Sequence, residues 1–274
     1  METLSSNACF GGTQHVVKHA STACACDMTA AVFLPAEAEL GPVPVLWFLS
    51  GLTCTHENAT TKAGAQGFAA REGIALIFPD TSPRGDEVAN DEAFDMGQGA
   101  GFYLDATEAP WADHFAMETY ITKDLPDTVF ANLPLDPDRQ AITGHSMGGH
   151  GALTLAARHP GRYRSVSAFS AIGNPTESDW GKKQFQGYLG SVKAGAAHDA
   201  TRLIADRGLD APLLLDTGTD DQFGDLLGTE ALHGAITKAR LPSQMNMRAG
   251  YDHSYFFVST FMESHIAFHA SHLK

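Results

Sequence analysis

Cysteine, basic side chains and long apolar runs are all scarce in this chain of 274 residues. The four cysteines, Cys9, Cys24, Cys26 and Cys54, are too few and too clustered for a disulfide framework, and no second pair completes a zinc site. No window approaches the roughly 18 consecutive apolar residues that a membrane-spanning helix requires. The first residues lack a basic segment followed by an apolar one, so we expect no signal peptide. We therefore expect reduced thiols and a soluble, cytoplasmic protein without a membrane partner.

Acidic residues outnumber basic ones by 32 to 18, which gives a formal net charge of −14. Affinity for a phosphate backbone comes from clustered Lys and Arg, so this balance argues against a nucleic-acid partner. An anionic small molecule would need a local basic patch, because the field of the whole protein repels it. Hydrophobic residues make up 43% of the chain, which suffices for one large core and excludes a disordered protein. Since no repeat or linker interrupts the pattern, we interpret residues 1–274 as a single domain.

The apolar pattern predicts an α/β fold with a mostly parallel central sheet and helices on both faces. Short apolar runs that end in Gly, Pro, Asp or Ser are typical of strands buried on both faces, and segments with a helical period lie between them. The first 35 residues, which include the apolar run 28–34, are expected to form antiparallel edge strands. The predicted strands are 43–49, 74–78, 140–143, 165–169, 212–215 and 244–248, and the predicted helices are 60–71, 120–132, 148–159, 229–239 and 255–269.

The motif GHSMGG at residues 144–149 carries the strongest functional signal in the chain. It matches G-x-S-x-G and lies between a predicted strand and a helix that begins near Gly148, which is the arrangement of a nucleophile elbow. Such an elbow holds its serine in a strained backbone conformation, and the following helix directs N–H groups towards developing negative charge. The motif therefore predicts Ser146 as a nucleophile. The structural alternative is a tight turn that merely needs small residues.

A serine hydroxyl needs a base to accept its proton, and 13 histidines compete for that role. His253 is the favoured candidate, because it lies in a polar loop between the last predicted strand and the last predicted helix. In a doubly wound sheet this loop emerges at the same carboxyl edge as the elbow. His145 is adjacent to the nucleophile, but we expect the sharp turn to point its ring elsewhere.

The acid that orients the base should follow an intermediate strand, because the chain order of this kind of site is Ser, then Asp or Glu, then His. After the predicted strand 212–215, Asp216, Asp220, Asp221 and Asp225 all qualify by position. Asp216 is closest to the strand and has the stronger structural interpretation. Spacing does not choose between Asp220 and Asp221, and a solvated acidic loop would also explain the whole cluster.

Two backbone N–H groups are expected to bind the oxyanion. One belongs to Met147, the residue after the nucleophile. The other should come from the loop SGLTCTH at residues 50–56, which follows an early central strand. There Gly51 would let the backbone turn, and the N–H of Leu52 would face the site. An ordinary turn between a strand and a helix is the structural alternative.

Long motifs extend along essentially the whole chain: SNACFGG (6–12), SGLTCT (50–55), PDTSPRG (79–85), GAGFY (99–103), GHSMGGHG (144–151), WGKK (180–183) and GYDHS (250–254). Together they resemble the S-formylglutathione hydrolases, a family also called esterase D. The resemblance implies an α/β-hydrolase fold and cleavage of S-formylglutathione to glutathione and formate. That reaction is the hydrolytic step of glutathione-dependent formaldehyde detoxification.

Carried over motif by motif, the resemblance implies Ser146 as the nucleophile, His253 as the base and Asp221, directly before Gln-Phe, as the acid. It also implies that the N–H groups of Leu52 and Met147 form the oxyanion hole. It implies no metal and no cofactor. The run DTGT at 216–219 departs from the family's usual pattern and bears on loop packing or acyl selectivity, not on the mechanism.

Two residues are expected beside the chemistry without a catalytic role. Cys54 matches a family cysteine that makes the enzyme sensitive to thiol reagents, and Trp180 is expected in the wall of a tight acyl pocket. The basic residues in the family motifs, Arg84, Lys182 and Lys183, are candidate contacts for the carboxylates of glutathione. Each could equally be a surface charge or a structural ion-pair partner.

Other functions remain as alternatives at this point. A general short-chain carboxylesterase would use the same triad on neutral esters. An acyltransferase like the mycolyltransferases is disfavoured by the missing secretion signal, and a non-catalytic binding protein is disfavoured by the intact Ser, Asp and His. The expected partner is a small-molecule thioester. Family members are commonly dimers, which makes a homodimer the candidate assembly, although no residue pattern indicates it.

Overall fold

Nine strands form one sheet in the computed structural model, which describes residues 1–274. They are β1 (Glu2–Cys9), β2 (Gly12–Ser21), β3 (Cys26–Leu34), β4 (Val43–Leu49), β5 (Ala75–Pro79), β6 (Leu135–Gly144), β7 (Val166–Phe169), β8 (Leu213–Gly218) and β9 (Ser243–Arg248). Across the sheet their order is β1-β2-β3-β5-β4-β6-β7-β8-β9. The six strands β4 to β9 are mutually parallel, whereas β1, β2 and β3 each pair antiparallel with the next strand in the sheet. The predicted mostly parallel sheet with antiparallel strands at its N-terminal edge is confirmed.

Helices cover both faces of the sheet. They are α1 (His56–Lys62), α2 (Gln66–Glu72), α3 (Met117–Thr119), α4 (Leu125–Asn132), α5 (Met147–Arg158), α6 (Asp179–Leu189), α7 (Val192–Gly195), α8 (Ala200–Arg207), α9 (Gly224–Leu227), α10 (Thr229–Ala239) and α11 (Tyr255–Leu273). Helices α1, α2 and α11 share one buried apolar cluster with the sheet, and α4, α5, α8 and α10 contribute to a larger one on the opposite face. Strands packed on both faces must be apolar throughout, which explains the unbroken runs in β4 and β5.

The single helix predicted over residues 60–71 is wrong, because the chain forms α1 and α2 instead. Gly64 adopts φ +66°, a left-handed conformation that stops α1. Helix α2 then begins at Gln66, whose buried side-chain amide donates to the carbonyl of Thr60 at 2.6 Å. The side chain of Gln66 thus bonds to a carbonyl of α1 that a backbone N–H would have bonded in a continuous helix.

The helix predicted over 120–132 is interrupted at its start. Pro126 has no N–H to offer the carbonyl of Thr122, and the preceding turn, Tyr120–Asp124, widens into a π-helix. Among the helices of eight or more residues, two escaped prediction, α6 and α8. Both begin at a side-chain cap, where Ser178 accepts from Gly181 N and Asp199 accepts from Arg202 N, so a capping signal was present in the sequence.

The topology collects the carboxyl ends of the parallel strands at one edge of the sheet. Strand β4 leads into the loop before α1, β6 leads into α5, and β8 leads into the acidic loop before α9. No helix in the structure is both long enough and apolar enough to cross a membrane.

Candidate active site

Ser146 lies on a sharp turn between β6 and α5, with φ +59° and ψ −119°. The turn is held on both sides, because His145 N donates to Leu49 O at 3.0 Å and Ser146 N donates to Phe169 O at 2.9 Å. A Cβ on Gly148 would lie 1.9 Å from the carbonyl oxygen of Leu49, so only glycine fits there. The strained serine and the glycine are therefore consequences of close backbone packing, as a nucleophile elbow requires.

His253 and Asp221 form a close pair beside the elbow. The distance from His253 Nδ1 to Asp221 Oδ2 is 2.7 Å, and the Asp221 side chain is 1% exposed. The other carboxylate oxygen accepts from Phe223 N at 2.9 Å. Burial alone would raise the pKa of Asp221, but the contacts with His253, Ser170 and Phe223 N outweigh it and lower that pKa below its usual value. Asp221 is thus held as a carboxylate that can accept a hydrogen bond from the Nδ1–H of His253, an arrangement that would leave Nε2 free to act as a base.

One cavity of about 200 Å³ contains both Ser146 and His253 on its wall. No hydrogen bond joins the two side chains in this structure, and such bonds often tighten only when substrate binds. Most of the exposed wall is apolar. The lining residues are Gly51, Leu52, Thr53, Cys54, Phe94, His145, Ser146, Trp180, Phe223, His253 and Tyr255.

The N–H groups of Leu52 and Met147 donate to no carbonyl or side chain, whereas those of the next residues, Thr53 and Gly148, are taken by backbone oxygens. Met147 is the first residue of α5, where a helix leaves its N–H groups free. Gly51 brings the other loop close, since a Cβ there would lie 3.1 Å from Ser146 Cβ. Two free donors beside Ser146 are what an oxyanion hole would need.

The loop that carries Leu52 is anchored from several sides. Thr53 N donates to Gly99 O at 2.9 Å, and the Tyr103 hydroxyl donates to Ser50 O at 2.9 Å. Arg84 Nη2 donates to Cys54 O at 2.8 Å while its Nε pairs with the buried Asp80 at 3.0 Å. These bonds fix the loop backbone and with it the direction of the Leu52 N–H.

The four aspartates considered in the sequence occupy different environments. Asp216 is fully buried and accepts from Arg248 Nε at 2.8 Å and Asn246 Nδ2 at 2.7 Å, away from His253. Asp220 and Asp225 are exposed, and only Asp221 contacts His253. The register of β8 against β9 places Asp216 opposite Asn246, which explains its role in the sheet.

The expectation that His145 points away from the site is wrong. Its ring lines the cavity and packs against that of His253, with ring centroids 4.6 Å apart. Both of its ring nitrogens are buried without a hydrogen-bond partner. Burial, with a smaller contribution from His253, lowers the pKa of His145 to about 3, so the ring is neutral at physiological pH. The neutral ring of His145 therefore packs against His253 without making a hydrogen bond.

Aromatic rings form part of the cavity wall. Trp180 packs against Phe223 at 5.1 Å and Phe94 at 6.3 Å between centroids, and Phe223 meets the edge of His253 at 4.9 Å. Trp180 thus lies in the wall, where the sequence analysis expected it. Phe94, Phe223 and Tyr255 were missed. Tyr255 and Phe223 adjoin predicted site motifs and could have been found, whereas Phe94 comes from a long loop without a motif.

Cys54 is buried at the base of the cavity. Burial raises the pKa of its thiol above the usual value, partly offset by Tyr255 and by the positive charge of Lys62. The three basic residues from the family motifs all have partners in the protein: Arg84 as above, Lys183 in an ion pair with Asp95, and Lys182 with the carbonyl of Glu177 at 3.1 Å. No group of three or more His, Cys, Asp or Glu side chains is arranged to hold a metal ion.

The chain is similar to known proteins over nearly its whole length. The Esterase family model, described as "Putative esterase", matches residues 21–268. The chain is 60% identical to the S-formylglutathione hydrolase of Paracoccus denitrificans (strain Pd 1222), covering 99% of this chain and 98% of that one. It is 48% identical to the S-formylglutathione hydrolase of Mus musculus, covering 100% and 99%.

The solved structure of an S-formylglutathione hydrolase from Agrobacterium tumefaciens superposes with a TM-score of 0.98 at 41% identity, with both chains covered completely. This agreement confirms the predicted α/β-hydrolase fold. Identity at this level over whole chains also confirms the family that the sequence motifs indicated. The chain therefore belongs to the S-formylglutathione hydrolase family of esterases.

Proposed function

We propose that the protein hydrolyses the thioester S-formylglutathione to glutathione and formate, the hydrolytic step of glutathione-dependent formaldehyde detoxification. The observation that carries the proposal is the Asp221–His253 pair at 2.7 Å, which shares a cavity of about 200 Å³ with Ser146. The names of the full-length relatives support the same substrate. In this proposal the catalytic residues are Ser146, His253 and Asp221.

Acylation begins when Ser146 Oγ attacks the formyl carbon and Nε2 of His253 accepts the hydroxyl proton. Asp221 stabilises the imidazolium that forms. The N–H groups of Leu52 and Met147 bind the tetrahedral oxyanion, an interaction worth about 3 kcal/mol per donor. The intermediate then breaks its C–S bond, and glutathione leaves as a thiolate, which needs little help from a general acid. His253 then gives its proton to this sulfur or to solvent, so the imidazole is neutral before deacylation begins.

Deacylation repeats the sequence with water. His253 takes a proton from the water that attacks the formyl ester of Ser146, and the second tetrahedral intermediate releases formate. The proton returns from His253 to Ser146 Oγ, which restores the free enzyme. Apart from the attacking water, every group used is a side chain or backbone amide of this chain.

The size of the cavity favours the smallest acyl groups. A volume of about 200 Å³ lies below the roughly 300–1,000 Å³ typical of small-molecule sites. The ring of Trp180, held between Phe94 and Phe223, limits its extent. We therefore expect a formyl thioester to fit and longer acyl chains to react slowly.

The test compares hydrolysis of S-formylglutathione with that of p-nitrophenyl acetate by the wild type and Ser146→Ala. A preference of orders of magnitude for the thioester, lost with both substrates in the variant, supports the proposal. Equal or better turnover of the acetate would make the protein a general short-chain carboxylesterase with the same triad. Activity retained in Ser146→Ala would remove the mechanism.

The setting proposed for this activity is the cytoplasm, with one domain and no nucleic-acid or membrane partner. All four cysteines are free, which fits a reducing compartment. On the family resemblance alone, we also propose a homodimer. Light scattering of the eluted protein would test it, since a monomeric mass would contradict the assembly.

A further inference from the structure

The cavity that contains Ser146 leaves no room for a tripeptide. At about 200 Å³ it accommodates the formyl group and the adjoining sulfur, so the rest of glutathione must lie outside it. In a serine hydrolase the leaving group departs on the side of the base, because that histidine is the general acid for the departing atom. The glutathione moiety should therefore extend past His253 towards the residues that follow it.

A second cavity begins at that point. It has a volume of about 640 Å³ and is lined by Lys62, Ser254, Tyr255, Phe256 and Ser259. Its volume falls within the range of small-molecule sites. Tyr255 lines this groove and the cavity of Ser146 as well, so the two spaces adjoin. We call it the Lys62 groove.

Lys62, at the end of α1, is the residue in this groove that can attract an anion. Its side chain is exposed and makes no ion pair or hydrogen bond, whereas Lys183 and Arg84 near the same site are already paired with Asp95 and Asp80. Its charge reaches the catalytic cavity, because it lowers the pKa of the Cys54 thiol. The protein has a net charge of −14, so an anionic substrate needs positive charge close to the site, and the unpaired Lys62 supplies it.

The other walls suit a peptide. The ring of Phe256 is 85% exposed, an unusual position for a large apolar side chain in a helix that otherwise packs on the sheet. Such a ring offers an apolar face to the extended backbone of a ligand. Ser254, the N-cap of α11, and Ser259 also line the groove, and their hydroxyls donate to Asp252 Oδ1 at 2.6 Å and to Phe256 O at 3.2 Å.

We propose that the Lys62 groove binds the glutathione moiety of the substrate, with Lys62 pairing with one of its carboxylates and Phe256 covering its backbone. The inference rests on the proposed thioesterase function and identifies the part of the chain that recognises the leaving group. It predicts that Lys62 contributes to binding of an anionic thiol portion and contributes nothing to a neutral ester.

The experiment measures kcat and KM of the wild type, Lys62→Gln and Lys62→Glu with S-formylglutathione and with p-nitrophenyl acetate. For the thioester, we expect KM to rise roughly 3- to 10-fold in Lys62→Gln and further in Lys62→Glu, with kcat within about twofold. For the neutral ester, both constants should stay within about twofold. Added salt should raise the KM of the wild type for the thioester and leave that of Lys62→Gln nearly unchanged.

The matched control is Lys193→Glu, a charge reversal at an exposed lysine on α7 that lies outside both cavities. It separates the effect of losing a contact between Lys62 and the substrate from the effect of changing the net charge of the protein. A second measurement uses S-methylglutathione as an inhibitor of p-nitrophenyl acetate hydrolysis, where its inhibition constant should rise in both Lys62 variants. Thermal melting of each variant verifies that the fold is intact.

The outcomes distinguish the two proposals. If the wild type prefers S-formylglutathione but the Lys62 variants match Lys193→Glu in KM and in inhibition by S-methylglutathione, the groove assignment is overturned and the thioesterase function stands. If the wild type does not prefer S-formylglutathione, the proposed function fails and the groove assignment falls with it. A loss of kcat with both substrates in the Lys62 variants would also overturn the assignment, because it would place Lys62 in the catalytic arrangement.

Discussion

Replacing Asp216, Asp220 and Asp221 by asparagine, one at a time, would separate catalysis from stability within six consecutive residues. All three substitutions remove one negative charge and keep the size of the side chain. Asp221 contacts His253, Asp216 is buried against Arg248 and Asn246, and Asp220 is exposed with its carboxylate bonded to Thr219 Oγ1. Their different surroundings predict three different results.

For Asp221→Asn we expect kcat to fall about 10⁴-fold, the loss seen when a triad carboxylate becomes an amide and the histidine takes the wrong tautomer. That loss corresponds to about 5.5 kcal/mol of barrier height. The free energy of unfolding should change by no more than about 1 kcal/mol, because the asparagine oxygen still accepts from Phe223 N, which now lies 2.9 Å from the carboxylate.

For Asp216→Asn we expect the opposite. Its carboxylate is 0% exposed, and removing its charge leaves the Arg248 guanidinium without a counter-ion. Breaking a buried pair costs about 3–5 kcal/mol, and the 27% exposure of Arg248 reduces this to about 2–3 kcal/mol. The melting temperature should fall by roughly 5–10 °C, while kcat below that temperature stays within about threefold. Asp220→Asn, an exposed change, should alter stability by no more than about 0.5 kcal/mol and leave kcat intact.

The assay combines steady-state hydrolysis of p-nitrophenyl acetate, which reads the triad whatever the natural substrate, with urea unfolding of each variant. Inactive Asp216→Asn with unchanged stability would refute the reasoning, because the carboxylate that serves the base would then be the wrong one. An Asp221→Asn variant that turned over at the wild-type rate would refute it equally.

Three further perturbations follow from the same geometry. Acidification from about pH 6.5 towards about pH 3 should lower the urea midpoint of unfolding. Burial lowers the pKa values of His145, His150 and His198 to about 3, 3 and 4 in the folded protein, whereas the same residues in the unfolded chain bind protons near the ordinary value of 6.5. A midpoint that rose over this range would contradict this explanation. Cys54→Ser should keep kcat within about threefold and resist inactivation by N-ethylmaleimide. The wild type should be inactivated slowly, because burial raises the pKa of the Cys54 thiol. Inactivation of the serine variant would mean that the reagent acts on another residue. Arg84→Gln should lower kcat with p-nitrophenyl acetate about tenfold at unchanged KM. The Arg84 guanidinium donates to the carbonyl of Cys54, and its loss would loosen the loop that carries Leu52. A higher KM alone would indicate that Arg84 contacts the substrate instead.

The local parts of the site could be predicted because their causes are local. The G-x-S-x-G motif between a strand and a helix is enough to predict the elbow, since the backbone approaches at Gly148 exclude any side chain there. The alternation of apolar runs with helical segments likewise predicts a parallel sheet covered on both faces. Short-range details were less predictable, as at Gly64, where one left-handed residue divides a predicted helix into two.

Position along the chain left the acid undecided, because Asp216, Asp220 and Asp221 follow the same strand. The choice depends on long-range pairing: the register of β8 against β9 brings Asn246 to Asp216, and the turn beyond β8 brings Asp221 to His253. Family motifs supplied the same assignment without that physical reason.

Composition and motif order were sufficient for the fold class and the family, and they predicted Ser146 as nucleophile and His253 as base. Other features of the site depend on contacts between residues distant in sequence. They are the ring of His145 against that of His253, the hydrogen bond from Arg84 to the loop that carries Leu52, and the unpaired charge of Lys62 in the same groove as Phe256. Whether a charged or aromatic side chain is paired, buried or free depends on neighbours that only folding brings within a few ångströms. Those neighbours, unlike the backbone sterics of an elbow, are not encoded in any short stretch of the chain.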